Sequence, residues 1–142
     1  MNIPESVIHR DIIIDGEHVA QVIENTLTNR RHDFITSEEK NFQFGSFFLS
    51  EGESIRSHQH LENRRSLKTT TEFIFVQVGV LTVYFYGSNN MEDLRETVNL
   101  GPGSAVIIFA GIHGFSAHTD CRFFEVKQGP FNDKTDKIKL NF

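Results

Sequence analysis

The chain has 142 residues, a length that suits one domain with a single sizeable core. Hydrophobic residues make up 38% and charged residues 23%, as in ordinary globular proteins, and the formal net charge is −5. This acidic balance argues against binding to duplex nucleic acid, which requires a concentrated basic surface.

Cysteine content and hydropathy limit the class of protein further. Cys121 is the single cysteine, so no internal disulfide can form and a stapled secreted domain is not expected. The opening sequence MNIPESVIHRD lacks a basic region followed by an apolar stretch. No apolar run approaches the roughly 20 residues of a membrane helix. We therefore expect a cytoplasmic protein with neither a signal peptide nor a membrane span.

Alternating apolar and polar residues, with β-branched and aromatic runs, predict strands along most of the chain. In order, the predicted strands cover residues 10–14, 18–24, 42–50, 55–60, 71–78, 80–87, 96–100, 104–110, 114–118, 121–128 and 137–142. Turn-forming residues such as Asp15-Gly16 separate them, and residues 25–41 are polar and predict a loop with at most a short helix. Many short strands at regular spacing predict an all-β sandwich or barrel.

The stretch SHQHLENRRSLKTTTE contains two histidines one residue apart and a later glutamate. In a strand, His58 and His60 share one face about 7 Å apart along the backbone, and two imidazoles at that spacing can bind one ion. By itself the pattern is weak evidence, because two solvent-facing histidines also produce it. Its surroundings strengthen it: five residues separate Gly52 from His58, and six separate Glu72 from Gly79.

These outer spacings resemble the first motif of the cupin superfamily, Gly-x5-His-x-His-x3–4-Glu-x6-Gly. The difference lies in the middle, where eleven residues, 61–71, replace the three or four of the family. We interpret LENRRSLKTTT as a lengthened hairpin between two intact strands. Glu62 is an alternative ligand, but no glycine follows it at the required distance.

The second cupin motif, Gly-x5-Pro-x-Gly-x2-His-x3-Asn, is matched in part by GSAVIIFAGIHGFSAH. Gly103 and Gly111 occupy glycine positions, Phe109 stands where the family has proline, and His113 arrives one residue early. A slip of one residue can turn a strand side chain to the opposite face, unless Gly111 or a bulge absorbs it. His118 is the alternative histidine, although a surface position explains it more simply.

The resemblance implies one cupin domain over residues 1–142, folded as a double-stranded β-helix, or jelly-roll, barrel. Within it we expect N-terminal strands in 1–44, the motif-bearing barrel in 45–128 and a tail strand in 129–142.

The resemblance also implies a metal site. Its ligands would be His58, His60, Glu72 and His113. Mixed nitrogen and oxygen ligands suit divalent Fe, Mn, Ni or Zn, and the sequence leaves the identity of the metal open.

The C-terminal part is similar to small cupins from bacterial polysaccharide and sugar-nucleotide gene clusters, which pair an HGF segment with an EVKQGP strand, as at 113–115 and 125–130 here. The similarity implies an isomerase- or epimerase-like enzyme of carbohydrate or sugar-nucleotide metabolism. The alternatives are a non-catalytic sugar-binding cupin, an iron-dependent dioxygenase, and a metal-free isomerase in which a histidine moves the proton directly.

Strand alternation identifies further candidate groups. In RFFEVKQ, Phe123, Glu125 and Lys127 share one face. If that face lines a cavity, Glu125 and Lys127 are candidate catalytic acid/base or substrate-binding groups. If it faces solvent, they form an ordinary surface ion pair. In the same way, if Glu72 faces inward, then Ile74, Val76 and Val78 share its face.

The ligand and the assembly state are also expectations. Basic residues surround the first motif and could bind a carboxylate or phosphate, so we expect a small anionic or sugar-like ligand. They are Arg56, Arg64, Arg65 and Lys68. Phe-rich faces at 42–50 and 71–78 need cover, which together with the resemblance implies a homodimer.

Overall fold

The computed structural model describes residues 8–25 and 33–138, and every regular element in those ranges is a β-strand. The strands are β1 (Ile8–Ile14), β2 (Glu17–Asn25), β3 (Asp33–Phe34), β4 (Gly45–Ser46), β5 (Glu72–Val78), β6 (Leu81–Gly87), β7 (Asn90–Leu100), β8 (Ala105–Ile108), β9 (His113–Ala117) and β10 (Arg122–Lys127). The prediction of an all-β protein is confirmed. In the same ranges, no helix is long and apolar enough to cross a membrane.

Two antiparallel sheets make up most of the structure. The larger has five strands in the order β1-β2-β8-β5-β10, and the smaller has three in the order β7-β6-β9. From β5 onward the chain alternates between them: β6 and β7 lie in the small sheet, β8 in the large one, β9 in the small one and β10 in the large one. Both sheets keep open edges within the described ranges, as in a β-sandwich.

The main core lies between the two sheets, because alternate side chains of each strand point inward. Its most deeply buried members, each at most 1% exposed, include Ile74, Val76, Val83, Phe85, Val106 and Ile108. Burying one such side chain contributes about 1.5–3 kcal/mol. This core therefore holds the sheets together and fixes which residues of β5 face inward.

The opposite face of the large sheet carries a second apolar cluster. Ile107 and Phe109 are buried there, and Phe42, Phe44 and Phe73 pack against them. The Phe44 and Phe73 rings are stacked with centroids 5.8 Å apart. Part of the Phe-rich surface is thus covered within the chain. On β10, Phe124 and Val126 are still exposed, and the homodimer stays a prediction.

Two strand predictions fail over most of their length. Of residues 42–50 only Gly45–Ser46 form a strand, and residues 55–60 form none. Of the strand predicted at 137–142, residues 137–138 are not in a strand and 139–142 lie outside the described ranges, as do 26–32 of the predicted loop. Residues 47–69 are almost all exposed. Strand-forming side chains make a ladder only where a neighbouring strand offers its backbone groups, and within 8–25 and 33–138 no strand pairs with residues 47–69.

Gly79 makes the close turn by which the chain crosses from β5 to β6. Its φ is +78°, and a β-carbon there would overlap the carbonyl oxygen of Asp120 in the neighbouring connection. The other three glycines of the two motifs, Gly52, Gly103 and Gly111, also have positive φ. Backbone conformation therefore accounts for the glycines on which the cupin resemblance depends.

We expect Gly79→Ala to destabilise the protein more than Gly16→Ala does. Gly16 has a φ of +80° but open space around it, so alanine there should cost only the left-handed conformation, about 1–2 kcal/mol. Alanine at Gly79 adds the overlap with Asp120. Urea denaturation of both variants measures the difference, and equal losses would contradict the close approach.

Candidate functional site

Glu72 and His113 meet at one end of the core, although each belongs to a different sheet. Glu72 begins β5 and shares the inward face of Ile74 and Val76, while His113 begins β9 opposite the buried Phe85. The His113 Nε2 atom lies 3.0 Å from Glu72 Oε2. Only 24% of the His113 side chain and 14% of the Glu72 side chain are exposed. The two predicted site residues thus form a half-buried pair between the sheets.

Both nitrogens of the His113 ring face acceptors. Nδ1 lies 3.0 Å from the carbonyl oxygen of Gly111, which can only accept, so Nδ1 carries a proton and donates it. The contact between Nε2 and the Glu72 carboxyl group also requires a proton. The geometry therefore holds one proton between nitrogen and oxygen, as an imidazolium beside a carboxylate or as a neutral pair.

The pKa values favour the ion pair. Burial alone lowers the pKa of His113, but the hydrogen bond to Glu72 and the one to Gly111, with the charges of Glu72 and Glu125, outweigh it and raise the pKa above its usual value. The hydrogen bond from His113 lowers the pKa of Glu72 against the opposing effect of burial, and Lys127 and Lys137 lower it further. A proton shared by the two groups accordingly resides mainly on His113 rather than on Glu72.

Glu125 and Lys127 lie on the same wall as Glu72. In the register of β10 against β5, Lys127 is opposite Glu72 and Glu125 is opposite Ile74, and opposed residues of an antiparallel pair point to the same face. We call the rim of the sandwich beside Glu72 and His113 the cleft, and Glu125 and Lys127 lie on its face of the sheet. Both alternatives drawn from alternation stay open, because the two side chains also form the ion pair expected of a surface. The Lys127 Nζ atom lies 3.5 Å from Glu125 Oε1.

Two residues that the sequence did not single out complete this wall. Asp136 Oδ2 lies 3.8 Å from Lys127 Nζ, and the Thr70 hydroxyl donates to Asp136 Oδ1 at 3.1 Å. The segment after β10 thus folds back beside the cleft. Neither TTT nor NDKTDK has a periodic pattern that would place these side chains, so sequence reasoning had no basis for finding them.

His58 and His60 lie elsewhere, on the exposed segment between β4 and β5. Their rings are 5.2 Å apart between centroids, and His58 Nδ1 lies 3.0 Å from the carbonyl oxygen of Arg56. Within residues 8–25 and 33–138, no three His, Cys, Asp or Glu side chains are placed to hold one metal ion. The structure therefore shows the four predicted ligands as two separate pairs.

The donors of the cleft pair nevertheless suit a divalent metal. The Nδ1–H of His113 donates to a backbone carbonyl, the usual support of a histidine that ligates through Nε2. With the proton between them removed, the Nε2 atom of His113 and the Glu72 carboxylate would offer one nitrogen and one oxygen ligand to such an ion. The four-ligand site stays a prediction, with His113 and Glu72 as the half that the fold brings together.

The remaining candidates lie outside the cleft. Glu62 and His118 are exposed, and Cys121 packs against the main core, as expected for a core thiol. A cavity of about 250 Å³ lies on the other face of the large sheet beside Phe42, Phe44 and Phe73. Titratable groups are missing from its lining, so this cavity offers neither an acid nor a base.

Comparison with known proteins returns no match: no family model fits the chain, and no curated protein or solved structure is significantly similar to it.

The ion pair should stabilise the fold most between about pH 4.5 and 6.5, the ordinary pKa values of Glu72 and His113. Because the pKa of His113 is raised in the folded protein, its contribution to the free energy of unfolding is complete below pH 6.5. That contribution is lost as pH rises through the pKa of His113 in the folded protein. Because the pKa of Glu72 is lowered in the folded protein, its contribution to the free energy of unfolding is present above pH 4.5. That contribution is lost as pH falls through the pKa of Glu72 in the folded protein.

Thermal unfolding of chelator-treated wild type and Glu72→Gln across this pH range tests the window. The difference in Tm should peak inside it, whereas His118→Gln, at an exposed histidine, should show no such peak. A difference for Glu72→Gln that is flat with pH would contradict the ion pair.

Proposed function

We propose that the chain is an isomerase- or epimerase-like enzyme of carbohydrate or sugar-nucleotide metabolism, with a cupin fold of the double-stranded β-helix type. The observation that carries the proposal is the proton held between His113 and Glu72 at the rim of an apolar core. The alternation of the chain between two sheets and the positive φ of the four motif glycines support the fold assignment.

The chemistry requires a base and an acid close together. Isomerisation removes a proton from the carbon beside a carbonyl group and returns a proton at a neighbouring position. In the ion pair, the Glu72 carboxylate can accept the proton from carbon while His113 Nε2 supplies one to the substrate oxygen. The pair returns to its starting state when Glu72 gives its proton to the neighbouring carbon and His113 Nε2 takes the proton of the hydroxyl group that becomes the new carbonyl group.

The ligand class follows from the surroundings of the pair. Lys127 and Glu125 offer a cation and an anion on the cleft wall, which can hydrogen-bond to carbonyl and hydroxyl oxygens. The basic residues of the exposed segment, Arg56, Arg64, Arg65 and Lys68, support binding of an anionic group such as a phosphate. A sugar that carries a phosphate or nucleotide combines both features.

A metal-dependent version of this function would use His58 and His60 together with Glu72 and His113. A divalent ion held by these residues would polarise the carbonyl group of the substrate. The edge position of β9 in the small sheet supports this version, because an open edge can accept a further strand.

Proton transfer can be measured by NMR as deuterium uptake from D2O into a panel of keto sugars and nucleotide-linked keto sugars. We expect wild type to catalyse uptake, and Glu72→Gln and His113→Gln to slow it about 10²–10⁴-fold. His118→Gln is the matched control and should retain the wild-type rate. Binding of a panel sugar without any deuterium uptake would favour the non-catalytic sugar-binding protein.

Metal dependence is tested on protein purified without a nickel column. We expect one equivalent of Fe, Mn, Ni or Zn in wild type, and at least about tenfold weaker binding in His58→Ala and Glu72→Ala. Metal-free wild type that still exchanges deuterium would instead favour the isomerase in which the histidine moves the proton directly. Iron with oxygen uptake would favour the dioxygenase.

A further inference from the structure

Lys127 is surrounded by groups that restrict its ammonium group. Carboxylate oxygens of Glu125 and Asp136 lie 3.5 Å and 3.8 Å from Nζ, and the ring centroid of Phe131 lies 5.3 Å from it. Only 23% of the Lys127 side chain is exposed. Because Lys127 is opposite Glu72 in the register, the two side chains leave the sheet on the same face.

Asp136 is the better fixed of the two carboxylates. Its side chain is 14% exposed, against 36% for Glu125. Its Oδ1 accepts the Thr70 hydroxyl, and its backbone N–H donates to the carbonyl oxygen of Asn132 at 2.9 Å. Asp136 therefore has a defined position set by contacts on two sides, independent of Lys127.

The anchor of Asp136 is itself tied to the sheet. The Thr69 hydroxyl donates to the carbonyl oxygen of Phe109 at 2.8 Å, and the Thr71 N–H donates to Gln128 Oε1 at 2.6 Å. Thr70 is thus held between two points, one after β8 and one after β10. This chain of contacts connects the large sheet to Asp136 and from there to Lys127.

We propose that Asp136 is a positioning residue that holds the Lys127 ammonium group beside the His113–Glu72 pair, where Lys127 binds the carbonyl oxygen of the sugar substrate. The inference rests on the proposed function for the role of Lys127 but not for the role of Asp136. An ammonium group has three N–H donors, and at 3.5 Å and 3.8 Å the two carboxylates attract its charge without hydrogen bonds of ordinary length, so N–H donors remain for a ligand.

The charge of the surroundings selects the kind of oxygen. With Glu125 and Asp136 beside it, Lys127 has little net positive charge to offer a phosphate. A neutral carbonyl oxygen fits better, because it gains negative charge only when the neighbouring carbon loses its proton, and a preplaced donor then stabilises that charge. The substrate class is accordingly a keto or aldehydo sugar whose carbonyl group lies in the cleft.

The first test compares Asp136→Asn with Asp133→Asn, an exposed aspartate in the same segment. Asp136→Asn keeps the shape and an oxygen for Thr70 but removes the charge that faces Lys127. In the deuterium-uptake assay we expect kcat to fall about tenfold with KM changed less than about twofold, and Asp133→Asn to match wild type. Equal rates in both variants would overturn the proposal.

The second test needs no substrate. NMR relaxation of protein with 13C-labelled lysine Cε, with Lys127 assigned through Lys127→Arg, reports the motion of the side chain. We expect Lys127 to be more ordered than the exposed Lys68 in wild type and in Asp133→Asn, and to lose that order in Asp136→Asn and Thr70→Val. Unchanged order in Asp136→Asn would overturn the positioning role, whatever the activity.

The two tests separate the two proposals. If wild type catalyses no deuterium uptake into any sugar of the panel, the proposed function and the substrate role of Lys127 fail together. The relaxation experiment still decides whether Asp136 positions Lys127. A loss of kcat without any loss of Lys127 order would assign Asp136 another role and overturn this one.

Discussion

The contact between His113 and Glu72 can form only when the two sheets are packed, because the residues lie 41 positions apart and on different sheets. A half-buried carboxylate without a partner is costly, and so is an isolated imidazolium. Each group makes the charge of the other tolerable in this position. Folding of the core and assembly of the site are therefore coupled through one shared proton. Removal of either His113 or Glu72 leaves the other as a half-buried group without a partner, which destabilises the fold.

The cleft arises from a change of polarity along three strands toward the same end of the sandwich. On β5 the inward face passes from Val76 and Ile74 to Glu72, and on β9 from the partly buried Phe115 to His113. On β10 it passes from Phe123 to Glu125 and Lys127. The Phe115 and Phe123 rings, with centroids 6.4 Å apart, close the apolar side. Strand register alone thus places an apolar floor beneath a ring of titratable groups.

Much of this arrangement follows from alternation in the sequence. Alternation predicts which residues of β5 share a face with Glu72 and that Glu125 and Lys127 share one, but not which way either face points. His113 became a candidate through the cupin resemblance, and Gly111, with φ +88°, stands where the shifted spacing had to be absorbed. The strand predicted at 55–60 does not form, because IRSHQH has a preference for extended backbone but carries no information on which sheet edge it could meet. Asp136 and Thr70 were not predicted as site residues. Their positions depend on where loops return to the sheet, which the local sequence pattern does not determine.

The metal-dependent and metal-free versions of the function make different use of His113 and Glu72. In the metal-free version the two side chains share a proton, as they do in the structure. In the metal-dependent version they would be two of the ligands of a divalent ion. The segment with His58 and His60 ends in Thr69, Thr70 and Thr71, whose contacts fix that end at the cleft rim. Lys127 has the same task in either version, since the substrate oxygen gains charge in both. The wall formed by β10 and Asp136 is therefore the part of the site whose role does not depend on the choice of cation.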